Sequence, residues 1–276
     1  MISLYGSTGF IGSIYLSLYP DQVVVIPRDQ RIPDTNEALY FISTTDNYNI
    51  FSDPFLDVET NLKVLIETLE ECKNTENIVF NFISSWFVYG QTADLPVNEE
   101  TYCNPTGFYS ITKRAAEQLL ISYCQTFGLK YRILRLCNVF GPGDSRASKK
   151  RNALQYLIER VVKNKDINLY HNGEVTRDFM YVVDVCRAIN LIVKSGPLNT
   201  IMNIGSGLGI SFKEIMTYVR EQTNSTSKFL SVPPPDFHKI VQVRDMTLEI
   251  SKLELLGFKP HYSIWQGMDI IINHLK

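Results

Sequence analysis

Paired cysteines, clustered histidines, long apolar runs and a strong charge of either sign are all missing from this 276-residue chain. Its five cysteines, Cys72, Cys103, Cys124, Cys137 and Cys186, are odd in number and form no CxxC pair. That argues against a disulfide framework. No signal-like segment precedes the strand that begins at Ile2, so a reduced, cytoplasmic compartment is the expectation. His171, His238, His261 and His274 stand at no ligand spacing, and no metal site is expected. No apolar stretch approaches the length of a bilayer span, so no membrane partner is expected. A formal net charge of -2 gives no support to nucleic-acid binding through phosphate neutralisation. The basic run RASKKR (146–151) is local, and it reads as a solvated loop or as a loop that sees an anionic substrate.

What the chain does have is a rhythm. ISLY at the start, VVVI (23–26), ALYFIST (38–44), NIVFNFIS (77–84) and YRILRL (131–136) read as strands. Helical patterns lie between most of them, from about Phe10 to Leu18, over 57–72 and over 109–127. This alternation predicts an α/β fold, a Rossmann-type doubly wound parallel sheet covered on both faces. After NVFGPGD (138–144) the rhythm loosens into helix 151–163, a short LYHNGE segment, helix 182–194 and TIMNIG (200–205). A helix from SFKEI (211–215), rigid PPPD (233–236) and a closing helix at SKLELLGFKP (251–260) follow. The expected division is a Rossmann domain over 1–165, to which 178–205 partly returns, and a smaller, mainly substrate-binding domain over 166–276. No internal repeat is visible.

GSTGFIG (6–12) sets glycines at 6, 9 and 12 directly after the first strand. A diphosphate on a helix N-terminus needs a tight strand-to-helix turn, close backbone approach and inward-facing amides. The loop therefore predicts a dinucleotide. The end of the second strand separates NAD from NADP, since an acid there accepts ribose hydroxyls and an arginine accommodates an added phosphate. VVVIPRDQ puts Pro27 in the acid's place, then Arg28, with Asp29 still available to a ribose. NADP(H) is preferred over NAD(H) on this reading. Between Arg28 and ALYFIST there is little room for another helix and strand, so one βα unit is expected to be trimmed or replaced by a loop.

Tyr109 and Lys113 are four apart and share a helical face. Alone, they describe a helix with an aromatic near its start and a solvated lysine. Their context is richer: NPTG (104–107) can start the helix, and Ser84-Ser85 closes the preceding strand. In a doubly wound sheet, functional groups gather beyond the strand C-termini. Such a trio suits alcohol oxidation or ketone reduction. A phenol with a free pKa of about 10 is a poor base near neutrality. A neighbouring ammonium, helped by the positive nicotinamide, favours the phenolate. Lys113 is placed to supply that charge and to bind the nicotinamide ribose, and Ser85 would hydrogen-bond the reacting oxygen.

GSTGFIG, SSWFVYG, YSITK, LRLCNVFGPGD and RDFMYVVDV follow one another over essentially the whole chain. In these motifs the sequence resembles the extended short-chain dehydrogenase/reductase family, specifically its nucleotide-sugar epimerase/dehydratase/reductase branch. The resemblance implies Ser85, Tyr109 and Lys113 as catalytic residues. It implies a cofactor site of Gly6, Ser7, Thr8, Gly9, Phe10, Ile11, Gly12, Arg28, Thr44, Asn61, Tyr109 and Lys113, with Asn61 supporting the lysine through water. Implied substrate contacts are Ser85, Trp86, Phe87, Asn138, Leu169, Tyr170 and Arg177. Leu169 and Tyr170 would pack the nucleotide base and Arg177 would meet the substrate diphosphate, unless Arg177 merely pairs with Asp178 or Asp184. The implied partners are a nucleotide-sugar substrate and a second copy of the chain, a homodimer through helices 57–72 and 109–127. Leu62, Ile66, Leu119 and Tyr123 are apolar positions there, some of which core packing would also explain.

Departures from the family pattern narrow the reaction. Its 4,6-dehydratases carry an Asp-Glu pair directly after the catalytic hydroxyl, where this chain has Trp86 and Phe87. No acid is left for the C6 hydroxyl and no base for the C5 proton. The family's 3,5-epimerising reductases have cysteine at the Phe87 position, and Cys103 lies only in the following loop. Reduction of a 4-keto sugar by exchangeable NADPH, with Tyr109 as general acid, and 4-epimerisation by tightly held NAD both remain. Pro27, Arg28 and the shortened adenine side favour the reductase, whereas the SSxxVYG pattern suits an epimerase. Trp86 and Phe87 would narrow the pocket toward a deoxy-sugar, or they pack in the core. Near PPPDF (233–237) an epimerase of this family has an arginine for the second phosphate. Pro233 stands here, with Arg244 or His238 as substitutes. A non-catalytic NADP-binding protein is the alternative from another class, and retention of the serine, tyrosine and lysine together weighs against it.

Overall fold

Apolar runs bounded by glycine, proline or asparagine make strands that are buried on both faces of a parallel sheet. In the computed structural model, which describes residues 1–92, 94–144 and 152–276, β1 (Ile2–Tyr5) has all four residues buried. It is followed by α1 (Phe10–Leu18), β2 (Val23–Ile26) and β3 (Glu37–Tyr40). Next come α2 (Leu56–Val58) and α3 (Val64–Cys72), joined by a π-helical turn at Glu59–Lys63. β4 (Val79–Ser85), α4 (Phe108–Phe127), β5 (Lys130–Leu136) and β6 (Asn138–Phe140) follow. Beyond them lie α5 (Ala153–Val162), β7 (Ile167–Tyr170), β8 (Thr176–Tyr181), α6 (Val182–Ser195) and β9 (Thr200–Ile204). The chain ends with β10 (Gly209–Ser211), α7 (Phe212–Thr223), β11 (Phe229–Val232), α8 (Asp236–Val241), α9 (Ser251–Leu255) and α10 (Ile264–Leu275).

Six strands form one sheet in the order β2-β1-β3-β4-β5-β9, and every pairing in it is parallel. This is the doubly wound α/β sheet that the alternation predicts. The period of two sends Leu4 into a core with α1 and α6, and Tyr5 into a second core with α3 and α4. Two small sheets, β10-β8-β6 and β11-β7, stand beyond the carboxyl side of β5.

β2 is an edge strand, because residues 27–36 connect it to β3 without a helix or strand of their own. Pro27 and Pro33 oppose both ladders and helices there. The loop is stitched to β1 instead: the Tyr5 hydroxyl donates to the Arg31 carbonyl at 2.7 Å, and Ser3 Oγ accepts from the amides of Asp34 and Thr35.

Three expectations change in detail. The third strand stops at Tyr40, so Phe41–Thr44 is loop at the head of the sheet. SKLELLGFKP is helical only over Ser251–Leu255, and the chain closes with α10, which the sequence reading passed over. Its signal is a capping box, in which Ser263 accepts from the Gln266 amide and Gln266 Oε1 accepts from the Ser263 amide. On the expected pairing surface Ile66 and Leu119 are exposed, whereas Leu62 and Tyr123 pack partly against the second core. RASKKR lies outside the described residues. Among the described residues no helix is long and apolar enough to cross a membrane, and no cluster of His, Cys, Asp and Glu has metal-binding geometry.

Candidate active site

The carboxyl ends of β1, β3, β4 and β5 open into a cavity of about 820 Å³, closed on the far side by residues of β7, β8 and α8. The glycine loop forms one end. Gly6 has φ of +83°, and a Cβ on Gly12 would lie 2.3 Å from the Gly6 carbonyl oxygen. Only glycine lets α1 start this close to β1, which leaves its first turn facing the cavity. Gly9, Phe10, Ile11 and Gly12 line the cavity, while Gly6, Ser7 and Thr8 shape the turn behind it. The cradle fits the diphosphate of a dinucleotide.

Ser85 ends β4 and accepts the Phe87 amide at 3.3 Å, which caps a short 3₁₀ turn over Trp86–Tyr89. Tyr109 and Lys113 sit in the first turns of α4. Gly107 caps that helix and packs closely against the Asn47 side chain. Ser85, Tyr109 and Lys113 all line the cavity, beside Phe87, whose ring meets Tyr109 edge-on at 6.1 Å. Lys113 is 2% exposed, so it is not the solvated lysine of an ordinary helix. One of its N–H groups donates to the Ile83 carbonyl at 2.7 Å, and the ammonium stands 4.1 Å from the centre of the Phe82 ring. Burial brings its pKa down to about 7, against the opposing pull of the Glu117 carboxylate.

Asn61 makes no direct hydrogen bond to Lys113. Its amide is used up by Ser43, Thr44 and Thr112: Oδ1 accepts the Thr44 amide at 2.9 Å and the Ser43 hydroxyl at 3.1 Å. Nδ2 donates to Thr44 Oγ1 at 2.8 Å and Thr112 Oγ1 at 3.0 Å. It therefore ties the loop after β3 to α4. Arg28 is exposed beside the edge strand, away from the cavity lining.

Trp86 and Phe87 stack with ring centres 3.9 Å apart. Trp86 is buried, so it is core as well as cavity wall. Arg177 lies over it at 5.1 Å and pairs with neither Asp178 nor Asp184. Successive residues of β8 point to opposite faces. Asp178 accordingly accepts from Ser206, Gly207 and Leu248, and Asp184 accepts from Arg187 and the amides of His261 and Tyr262. Arg177 donates instead to the carbonyls of Thr176, Arg244 and Val243. Burial lowers its pKa to about 10, partly offset by Asp245.

Asn138, Leu169 and Tyr170 line the same cavity. Of the two substitutes for the missing phosphate arginine, His238 is unsuited. It packs against the Tyr170 ring at 4.8 Å, and burial, then Arg177 and His171, hold its pKa at about 4. Arg244 is exposed at the rim. The sequence reading missed Thr45, Asn47 and Tyr48, which line the cavity from the turn after β3. Position was their signal, since that turn follows the carboxyl end of a central strand.

A family model described as the NAD dependent epimerase/dehydratase family matches residues 46–205. The chain belongs to this family. This epimerase/dehydratase-family enzyme is 31% identical, over 90% of its length and 80% of the relative's, to a protein of Methanocaldococcus jannaschii named as a putative UDP-glucose 4-epimerase. It is 27% identical, over 97% and 94% of the two chains, to a GDP-6-deoxy-D-mannose reductase of Pseudomonas aeruginosa. Its fold matches a UDP-glucose 4-epimerase of Thermotoga maritima with a TM-score of 0.89 at 24% identity, covering 99% and 97% of the two chains. The family member thus uses NAD(P), and its relatives include both epimerases and reductases.

Proposed function

We propose that this enzyme reduces the 4-keto group of a nucleotide-activated sugar, a deoxy-hexose by preference, with NADP(H) favoured over NAD(H). The observation that carries the reading is the composition of one cavity. Ser85, Tyr109 and Lys113 line it next to the glycine cradle, and the two positions after Ser85 hold stacked aromatic rings. Those rings have no proton to give or take, which argues against dehydration. The open adenine side supports reduction over epimerisation. An epimerase must retain its cofactor through two half-reactions, whereas a reductase must release it each cycle, and β2 is here a bare edge flanked by exposed Arg28.

The cradle of Gly9, Phe10, Ile11 and Gly12 would hold a nicotinamide cofactor, whose chemistry there would be to supply the hydride. Ser85 hydrogen-bonds the keto oxygen, and Tyr109 gives its phenolic proton to that oxygen as negative charge develops. The phenolate left behind is favoured by the N-terminus of α4 and by the Lys113 ammonium. With one N–H committed to the Ile83 carbonyl, Lys113 retains two donors for a ribose hydroxyl. Asn138, Leu169 and Tyr170 hold the substrate, and Arg177 and Arg244 face its diphosphate. In this reading 1–165 with 178–205 bind the cofactor and 166–276 mainly bind the substrate. A homodimer would bury Ile66 and Leu119, both 40% exposed.

A second reading, 4-epimerisation with retained NAD, is favoured by the 31% identity to the putative UDP-glucose 4-epimerase. Denaturing the purified protein and identifying any released nucleotide separates the two. Stoichiometric NAD points to the epimerase, and an empty protein that binds NADPH points to the reductase. Tyr109→Phe is expected to lower turnover by roughly 10²–10⁴-fold in either case. Unchanged turnover would remove Tyr109 from the chemistry.

A further inference from the structure

We infer that Glu117, which lies behind the cavity wall, is a positioning residue that pins the end of β4 to the helix bearing Tyr109 and Lys113. The inference rests on the hydride-transfer reading of that cavity. Glu117 is fully buried, at 0% exposure. Its Oε1 accepts the Ser84 hydroxyl at 2.6 Å and Arg135 Nε at 3.0 Å. Its Oε2 accepts Arg135 Nη2 at 2.8 Å and Arg114 Nη1 at 2.8 Å. Every acceptor direction of the carboxylate is therefore filled.

Glu117 follows Lys113 by one helical turn, and the two side chains grip neighbouring residues of β4. Lys113 holds the Ile83 carbonyl and Glu117 holds the Ser84 hydroxyl. Ladder hydrogen bonds set the register of β4 within the sheet, but they do not set the distance between the sheet and α4. Two grips at consecutive residues do so, immediately before Ser85. Reaction geometry of this kind is sensitive to displacements of about 1 Å.

Stability alone does not account for the arrangement. A buried ion pair is commonly no better than apolar residues of the same volume, because desolvation cancels its attraction. What apolar packing lacks is direction. A bidentate carboxylate with a third partner on the adjacent strand fixes one orientation.

The test uses the intact enzyme with Ser84→Ala, Glu117→Gln and the double variant. Turnover is measured with NADPH and a GDP-4-keto-6-deoxy-hexose, and with NAD and UDP-glucose. Ser84→Ala is expected to lower kcat about tenfold with KM and Tm nearly unchanged, a split that a purely structural role would not produce. The double variant should be no worse than Glu117→Gln alone, since both act through one contact. Full kcat in Ser84→Ala, or losses that multiply, would overturn the inference. Glu117→Gln leaves Arg135 without its carboxylate, so Ser84→Ala decides the matter if that variant does not fold. If neither substrate turns over, the functional reading fails, and hydrogen exchange still tests this one. Amides of residues 84–88 should exchange about tenfold faster in Ser84→Ala, and unchanged protection overturns the inference.

Discussion

Arg135 and Arg177 are both nearly inaccessible, at 1% and 6% exposure, yet their surroundings differ in kind. Arg135 meets Glu117 through two hydrogen bonds, which outweigh burial and hold it firmly protonated. Arg177 hydrogen-bonds carbonyl oxygens and lies over the Trp86 ring, Asp245 offsets its burial only in part, and its pKa falls to about 10. Lys113 resembles Arg177, with a carbonyl, a ring and a pKa of about 7. The neutralised cation lies beneath the site, and the two that burial leaves under-compensated line the cavity. A charge already paired has little left for a ligand. A buried charge held by carbonyls and rings gains most when an anion or a polar ligand arrives.

The contrast is most directly broken by removing half of the neutralised pair. Arg135→Met takes away the bidentate partner of buried Glu117, leaving it only Ser84 and half-buried Arg114, and is expected to cost about 3–5 kcal/mol in urea unfolding. A loss below about 1 kcal/mol would mean that the pair is not what stabilises this region. Lys113→Met should do the reverse and gain about 2 kcal/mol at pH 7, while turnover is lost. The sign follows from the proton count. Lys113 has a folded pKa of about 7 against an ordinary value of 10.5. Between those values the unfolded chain binds the extra proton, so wild-type stability rises with pH and the advantage of Lys113→Met shrinks. A pH-independent gain would argue for packing instead. Urea titrations at several pH values across this window provide the check.

Arg177→Gln is expected to weaken nucleotide-sugar binding about tenfold, or ~1.4 kcal/mol, with little change in Tm. Calorimetry with UDP-glucose at two salt concentrations measures it, and unchanged affinity would assign Arg177 to holding Val243 and Arg244 alone. The smallest effect is expected at exposed Arg28. Arg28→Ala should weaken NADPH binding by about threefold and leave NADH unchanged, because solvent screens an exposed pair. Equal effects on both cofactors would withdraw the preference for NADP(H).

Much of the scaffold was legible in short segments. ISLY is apolar enough for a strand buried on both sides, VVVI suits a strand of the same sheet though it lies at the edge, and GSTGFIG needs its glycines for a turn this tight. The missing βα unit was legible as well, as an interval too short to hold one. Less accessible were contacts between distant segments. Two of the three carbonyls that hold Arg177 come from residues 66 and 67 positions away. Asn61 carried the family's asparagine position, but its hydrogen bonds go to Thr44 and Thr112. Helix α10 carries a capping box, a sharper local signal than the pattern at SKLELLGFKP, of which only Ser251–Leu255 is helical.

By itself the sequence determined the parallel sheet, the cradle at its first turn and the spacing of Tyr109 and Lys113. Each follows from local stereochemistry and from periodicity within one element. Tertiary structure decided which charges are neutralised. Ser84, Glu117 and Arg135 are ordinary residues of three separate elements until the sheet closes against α4. The strength of their interaction then depends on the water that closure removes. Burial and partner geometry are properties of the folded chain, and they separate the cation that supports the site from those left to face its ligands.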